Sequence, residues 1–147
     1  PKQVSRYLSK ISGPLLDRLD IHVEVPPVDF NSLSIANIHE SSQTIRKRVN
    51  KARKIQSERF KGTNVTCNAQ INSALINKVC VMSDSAISLL KLAFEKMSLS
   101  ARAYNRILKV SRTIADMDNS EIIKSQHISE ALQYRSLDRK YWLRNTD

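Results

Sequence analysis

Glycine is almost missing: the 147 residues hold two, Gly13 and Gly62. A phosphate-cradling loop needs several glycines close together, because backbone amides must approach the phosphates without Cβ clashes. Two isolated glycines build none, so the chain has no Walker A loop. No acidic run follows an apolar strand to hold magnesium. Cysteine is equally scarce. Cys67 and Cys80 fit no common zinc spacing and make no disulfide framework, so they read as free thiols in a reducing compartment. His22, His39 and His127 share no ligand spacing, and no metal site is expected. No nucleophile, histidine and carboxylate fall in a hydrolase order. No apolar run approaches the ~20 residues of a membrane span. The opening PKQVSRYLSK lacks the apolar segment of a secretory signal. A cytoplasmic protein without a membrane partner is the expectation. The absence of an initiator Met suggests a piece of something longer, inactive as an enzyme by its own residues.

Acidic residues are also in deficit. Against 24 lysines and arginines stand 14 aspartates and glutamates, a formal charge of +10. That balance favours anionic partners: nucleic acid, nucleotide phosphates or an acidic protein surface. It does not choose among them. Hydrophobic residues make up 41%, which allows a packed core. Scarce glycine beside abundant Ala, Leu, Lys, Arg, Ser and Glu favours helices.

Val4 to Leu8 with Ile11 has helical spacing, which Gly13-Pro14 interrupts. A short helical turn over 14–18 follows. Ile21, Val23 and Val25 alternate with His22 and Glu24, the period of a half-buried strand, and Pro26-Pro27 ends it. Residues 28–38 read as a connector. Ser41 or Ser42 then caps a long helix to about Phe60, with Ile45, Val49, Ala52, Ile55 and Phe60 as its apolar stripe. Its other faces are basic: Lys47, Arg48, Lys51 and Lys54 are candidate contacts for DNA phosphates, the alternative being a solvated face.

A break at 62–64 and a loop at 67–70 precede a short helix from Asn72 or Ser73 to about Cys80. Ser83 or Asp84 starts the next helix, with Ile87, Leu90, Phe94 and Met97 on its core face. Ser98 or Ser100 caps another, where Ala103, Ile107, Val110, Ile114 and Met117 step by four and three. Arg102, Arg106 and Lys109 share its opposite face, with Arg112 close by. Arg102 falls in the first turn, where the helix macrodipole disfavours a cation. A last helix follows Lys124-Ser125, with Ile128, Ala131, Leu132 and Arg135 on one side. Residues 136–147 are polar apart from Tyr141, Trp142 and Leu143.

Three segments carry a resemblance: SGPLLDRLDIHVEVP, SARAYNRILKVSRTIADM and HISEALQYRSLDR. In this order and spacing they resemble the C-terminal part of the magnesium-chelatase-like AAA+ ATPases, the ComM-like group. The likeness spans roughly residues 3 to 139. It implies a mainly α fold: an AAA+ helical lid bundle of about four helices, preceded by a short remnant of the α/β ATPase core with one helix and one strand. Residues 1–30 would end the core, 31–62 form a connector and the long basic helix, 63–139 the lid, and 140–147 a tail.

The resemblance also implies roles. Leu15-Leu16-Asp17-Arg18-Leu19-Asp20 matches the arginine-finger segment of the wider group, with Leu19 in place of the commoner Phe. Arg18 would then reach the ATP site of a neighbouring subunit. The alternative for Arg18 is a surface ion pair with Asp17 or Asp20. Ser100-Ala101-Arg102 matches the sensor-2 position, so Arg102 would contact the γ-phosphate, with Arg106 a weaker nucleotide-binding match. The implied cofactors are ATP and Mg²⁺, in the intact protein and not in this piece alone. The implied partners are the N-terminal ATPase core, neighbouring subunits of a homo-oligomeric ring, and DNA, which such a ring remodels or branch-migrates. Two other readings stand beside this one. The chain could be a stand-alone basic helical nucleic-acid-binding module, or an interaction domain for an acidic partner.

Overall fold

The computed structural model describes residues 18–23, 25–27 and 40–135. Five α-helices and one 3-10 turn make up the regular structure of this part. Helix α1 spans Ser42–Arg59, the 3-10 turn Asn68–Gln70, α2 Ser73–Val79, α3 Asp84–Lys96, α4 Ala101–Met117 and α5 Ser125–Gln133. The mainly helical architecture expected of a lid bundle is present.

Short polar residues set the starts. Ser41 Oγ accepts from Thr44 N at 3.2 Å, Asn72 Oδ1 from Leu75 N at 3.0 Å, and Ser83 Oγ from Ala86 N at 3.3 Å. Ser100 Oγ accepts from Ala103 N at 3.1 Å. Each satisfies an amide that has no partner inside its helix. At α5 the cap is a histidine. His127 Nδ1 accepts from Lys124 N at 3.0 Å, so its Nε2–H donates to Asp118 Oδ2 at 3.1 Å. The His127 bond, with that of Gln126, holds the Asp118 carboxyl below its ordinary range. After α1 the chain turns at Gly62, whose φ of +77° suits a residue without Cβ.

Helix α4 is the centre. It packs against α1, α2, α5 and the 3-10 turn, while α3 lies on α5. Ile71, Ile76, Leu90, Ile107, Leu108, Ile123 and Ile128 fill the core. Cys80 is buried there, and desolvation pushes its thiol up to about 11. Both cysteines are free. An isolated parallel bridge, Met82 to Ile123, ties the entry of α3 to that of α5.

Several expectations need correcting. Residues 21–23 and 25–27 pair with no strand among the described residues, and Ile21, Val23 and Val25 are exposed. A strand without neighbours has no ladder to complete. On α1, Ala52 and Phe60 are buried and Ile55 half-buried, but Ile45 and Val49 are exposed, because only the C-terminal half of the helix meets the bundle. On α3 the buried residues are Ala86, Leu90 and Ala93. Alanines admit close approach, while Ile87 and Phe94 line an open apolar groove of 480 Å³ with Met82 and Tyr104.

On α4 the apolar stripe is only part of the buried surface. Ala103 and Ile107 are buried, Val110 and Ile114 half-buried and Met117 exposed. Arg112 is not on the basic face but fully buried, because a central helix is enclosed on most sides. The expected helix before Gly13, the turn over 14–17, the connector 28–38 and the tail 136–147 lie outside the described residues.

Candidate functional site

The cap at Ser100 fixes where α4 begins. Ser98 adopts a left-handed φ of +47°, and buried Leu99 donates its amide to Phe94 O at 3.2 Å. This tight turn sets the first turn of α4, which carries no acidic residue, at the surface. Arg102 is exposed there. Beside it opens a polar cleft of 420 Å³ lined by Asp20, Ala69, Ala101, Arg102, Asn105, Arg106 and Lys109. Arg102 sits at the partly positive end of the helix, and Arg106 and Lys109 line the cleft one and two turns further along. Lys109 Nζ is anchored on Ala69 O at 3.0 Å. The one carboxylate of the lining, Asp20, is already paired with Arg106. The balance of the cleft is positive, and such a place favours an anion.

The segment that bears Arg18 forms one wall of this region, and its backbone is held at several points. Arg106 Nη1 donates to the Arg18 carbonyl and to Asp20 Oδ1. Arg135 Nη1 donates to Leu19 O at 3.1 Å, and the His22 amide donates to Tyr134 O at 2.7 Å. His22 and Arg135 are buried, whereas Arg18 is exposed. Of the expected residues, Arg102 and Arg106 line one cleft, and Arg106 also binds the backbone carbonyl of Arg18, whose side chain is not part of the lining. Asp20, the candidate partner of Arg18, is engaged by Arg106.

The four basic residues expected to face DNA are all exposed on α1. Lys47, Lys51 and Lys54 follow one another by four and three and share a face. Arg48 differs: its two Nη atoms bind both carboxylate oxygens of Glu40, at 2.7 and 3.1 Å. This patch belongs to α1, and none of its residues lines the cleft.

Sequence reasoning missed two features. One is the grip of Arg135 on the Arg18 segment. Its signal was a cation on the apolar side of α5. The other is a buried polar cluster joining α1 to α4. Asp116 Oδ2 accepts from Arg59 Nη1 and Asn68 Nδ2, both at 2.8 Å. Its Oδ1 accepts from Arg59 Nη2 and from Arg112 Nε, the latter at 3.1 Å. Arg112 also donates to the carbonyls of Ser120 and Glu121. Burial lowers the Arg112 pKa, and the Asp116 charge opposes that shift. The spacing of Arg112 and Asp116, four apart beside a core stripe, was the available clue.

Among the described residues no group of three or more His, Cys, Asp or Glu could hold a metal ion. No helix among them is long and apolar enough to cross a membrane. A family model described as magnesium chelatase, subunit ChlI C-terminal, matches residues 39–135, and one described as magnesium chelatase, subunit ChlI, matches residues 1–33. Competence protein ComM of Haemophilus influenzae is 44% identical over 140 residues, covering 95% of this chain and 27% of ComM. The uncharacterized protein YifB of Escherichia coli is 42% identical over the same length and shares. An uncharacterized Mycobacterium bovis protein is 32% identical over 130 residues, 88% of this chain and 26% of its own. The chain spans about a quarter of the length of these relatives.

Proposed function

The chain belongs to the magnesium chelatase ChlI C-terminal family, and from that membership we propose that it is the lid part of a ring-forming AAA+ ATPase. The ring couples ATP hydrolysis to remodelling or branch migration of DNA, as part of competence or a related process. The observation that carries this reading is the cleft at the start of α4, where Arg102, Arg106 and Lys109 face only one carboxylate, itself paired.

Those residues suit a polyphosphate. Arg102 presents a planar guanidinium in the first turn of α4, where a cation beside unpaired amides is unfavourable until an anion arrives. Arg102 then binds phosphate oxygens and registers the presence of the γ-phosphate. Arg18, exposed on a segment anchored through its backbone, acts as the finger that stabilises charge growing on the transferred phosphoryl group. Mg²⁺ bound with ATP would supply charge neutralisation on the polyphosphate. The described residues supply no carboxylate cluster for it, so its protein ligands would come from the ATPase core. The exposed lysines Lys47, Lys51 and Lys54 are proposed to meet DNA phosphates on the ring.

Mixed rings of the full-length protein test the assignment. One subunit carries Arg18→Ala with a working Walker A site; the other has a dead Walker A lysine and a normal Arg18. The Arg18→Ala protein alone is expected to lose about 10³-fold or more in kcat, the scale of a missing finger, and the Walker A variant alone to be inactive at its own ATP site. Mixing is expected to restore turnover, since Arg18 acts on the neighbour's ATP. Full activity of the Arg18→Ala protein alone would overturn the finger assignment.

A further inference from the structure

The Arg18 segment is held by the helical domain through its backbone. Arg106 binds the carbonyl of Arg18 and the carboxylate of Asp20. Arg135 binds the carbonyl of Leu19 at 3.1 Å, and the amide of His22 bonds to Tyr134 O at 2.7 Å. Four of five consecutive residues, 18 to 22, are thus tied to α4 or to the end of α5. The Arg18 side chain remains exposed. Arg106 lies one helical turn beyond Arg102 on α4 and lines the same cleft.

We propose that Arg106 and Arg135 are positioning residues that lock the Arg18 segment to α4, so that finger and lid move as one body. The proposal rests on the reading of Arg18 as the finger. Arg106 acts through Arg18, by fixing the Arg18 carbonyl and the side-chain carboxylate of Asp20 two residues on. Displacing α4 when Arg102 gains or loses its phosphate then displaces Arg18 as well. Arg135 is the buried anchor and Arg106 the accessible one: their exposures are 1% for the residue and 24% for the side chain. Arg106 is therefore the better position to test, because Arg135→Ala removes a buried group and can prevent folding.

The experiment uses the same mixed full-length rings, with Arg106→Ala placed first on the subunit that donates Arg18 and then on the subunit that hydrolyses ATP. On the donor, kcat is expected to fall about 10²-fold, the scale of a displaced catalytic group. KM for ATP is expected to change less than kcat there, since Arg106 Nη1 is engaged by the Arg18 carbonyl and Asp20. On the hydrolysing subunit, whose own finger is already Arg18→Ala, a smaller effect is expected, read in KM, since Arg106 lines the cleft beside Arg102 there. Arg106→Lys keeps one of the two contacts and should recover part of the rate. Hydrogen exchange of the His22 amide should quicken in the Arg106→Ala protein while the α4 amides keep their protection. A kcat loss larger on the hydrolysing subunit than on the donor, a raised KM at unchanged kcat on the donor, or no loss at all would overturn the positioning role. If the rings show no complementation before Arg106 is altered, the finger reading itself has failed, and the two failures are told apart.

Discussion

Arg106 and Arg112 lie on one helix and serve opposite ends. The Arg106 side chain is 24% exposed and grips a neighbouring segment through a pair whose Asp20 partner is half in solvent. Such a pair contributes about 0–1 kcal/mol to stability, so its importance is local order and not overall folding. Arg112 is wholly buried, and its charge is acceptable only because Asp116 and two backbone carbonyls surround it. Asp116 in turn accepts from Arg59, Arg112 and Asn68, which leaves its carboxylate fully satisfied. Removing one partner of such a set leaves an uncompensated buried charge. Asp116→Ala is expected to destabilise the chain by about 3–5 kcal/mol, read as a lowered urea midpoint at unchanged m-value. A loss below about 1 kcal/mol would mean that water reaches Arg112 and replaces the carboxylate.

At the level of elements, local chemistry made the helices legible and tertiary packing hid their buried faces. Short side chains ahead of periodic segments pointed to Ser41 or Ser42, Asn72 or Ser73, Ser83 or Asp84, and Ser98 or Ser100, and in the fold Ser41, Asn72, Ser83 and Ser100 are the caps. The core faces were less readable. Periodicity ranks large apolar residues first, yet α3 buries Ala86 and Ala93 and leaves Ile87 and Phe94 beside a groove. A rule that sends charge to the surface also hid two buried arginines: Arg112 is satisfied by near neighbours, Asp116, Ser120 and Glu121, and Arg135 by the distant Leu19 carbonyl. Of the candidate site, Arg18, Arg102 and Arg106 were named from the family pattern; that Arg106 binds the Arg18 carbonyl while lining a cleft with Arg102 needed the fold.

The same contrast within α1 yields a test. Ile45→Ser and Val49→Ser, at exposed positions, should each change stability by no more than about 0.5 kcal/mol. Ala52→Leu, at a position only 4% exposed, should cost about 1–3 kcal/mol by overpacking. Denaturant midpoints for the three variants check both statements. Equal losses at all three would mean that the N-terminal half of α1 packs as firmly as the rest.

For the whole molecule the decisive quantity is where its +10 charge lies. Part of that charge is internal or paired: Arg59 and Arg112 with Asp116, Arg48 with Glu40, Arg106 with Asp20. Lys47, Lys51 and Lys54 remain as an exposed row on α1, apart from the cleft at α4. A lid that touches DNA only within a ring should bind duplex weakly by itself, with Kd about 10⁻⁴–10⁻⁶ M at physiological salt and no sequence preference. Each lysine that meets a phosphate adds about 0.9 to the slope of log K against log salt. Changing Lys47, Lys51 and Lys54 to Gln together should therefore flatten that slope without altering preference among sequences. Arg48→Gln should flatten it less, because Glu40 already neutralises the guanidinium. Fluorescence anisotropy of a labelled duplex over a salt series measures all of this. Nanomolar binding by the chain alone, abolished by the triple change, would favour the stand-alone module, since a lid has no need to hold DNA without its ring.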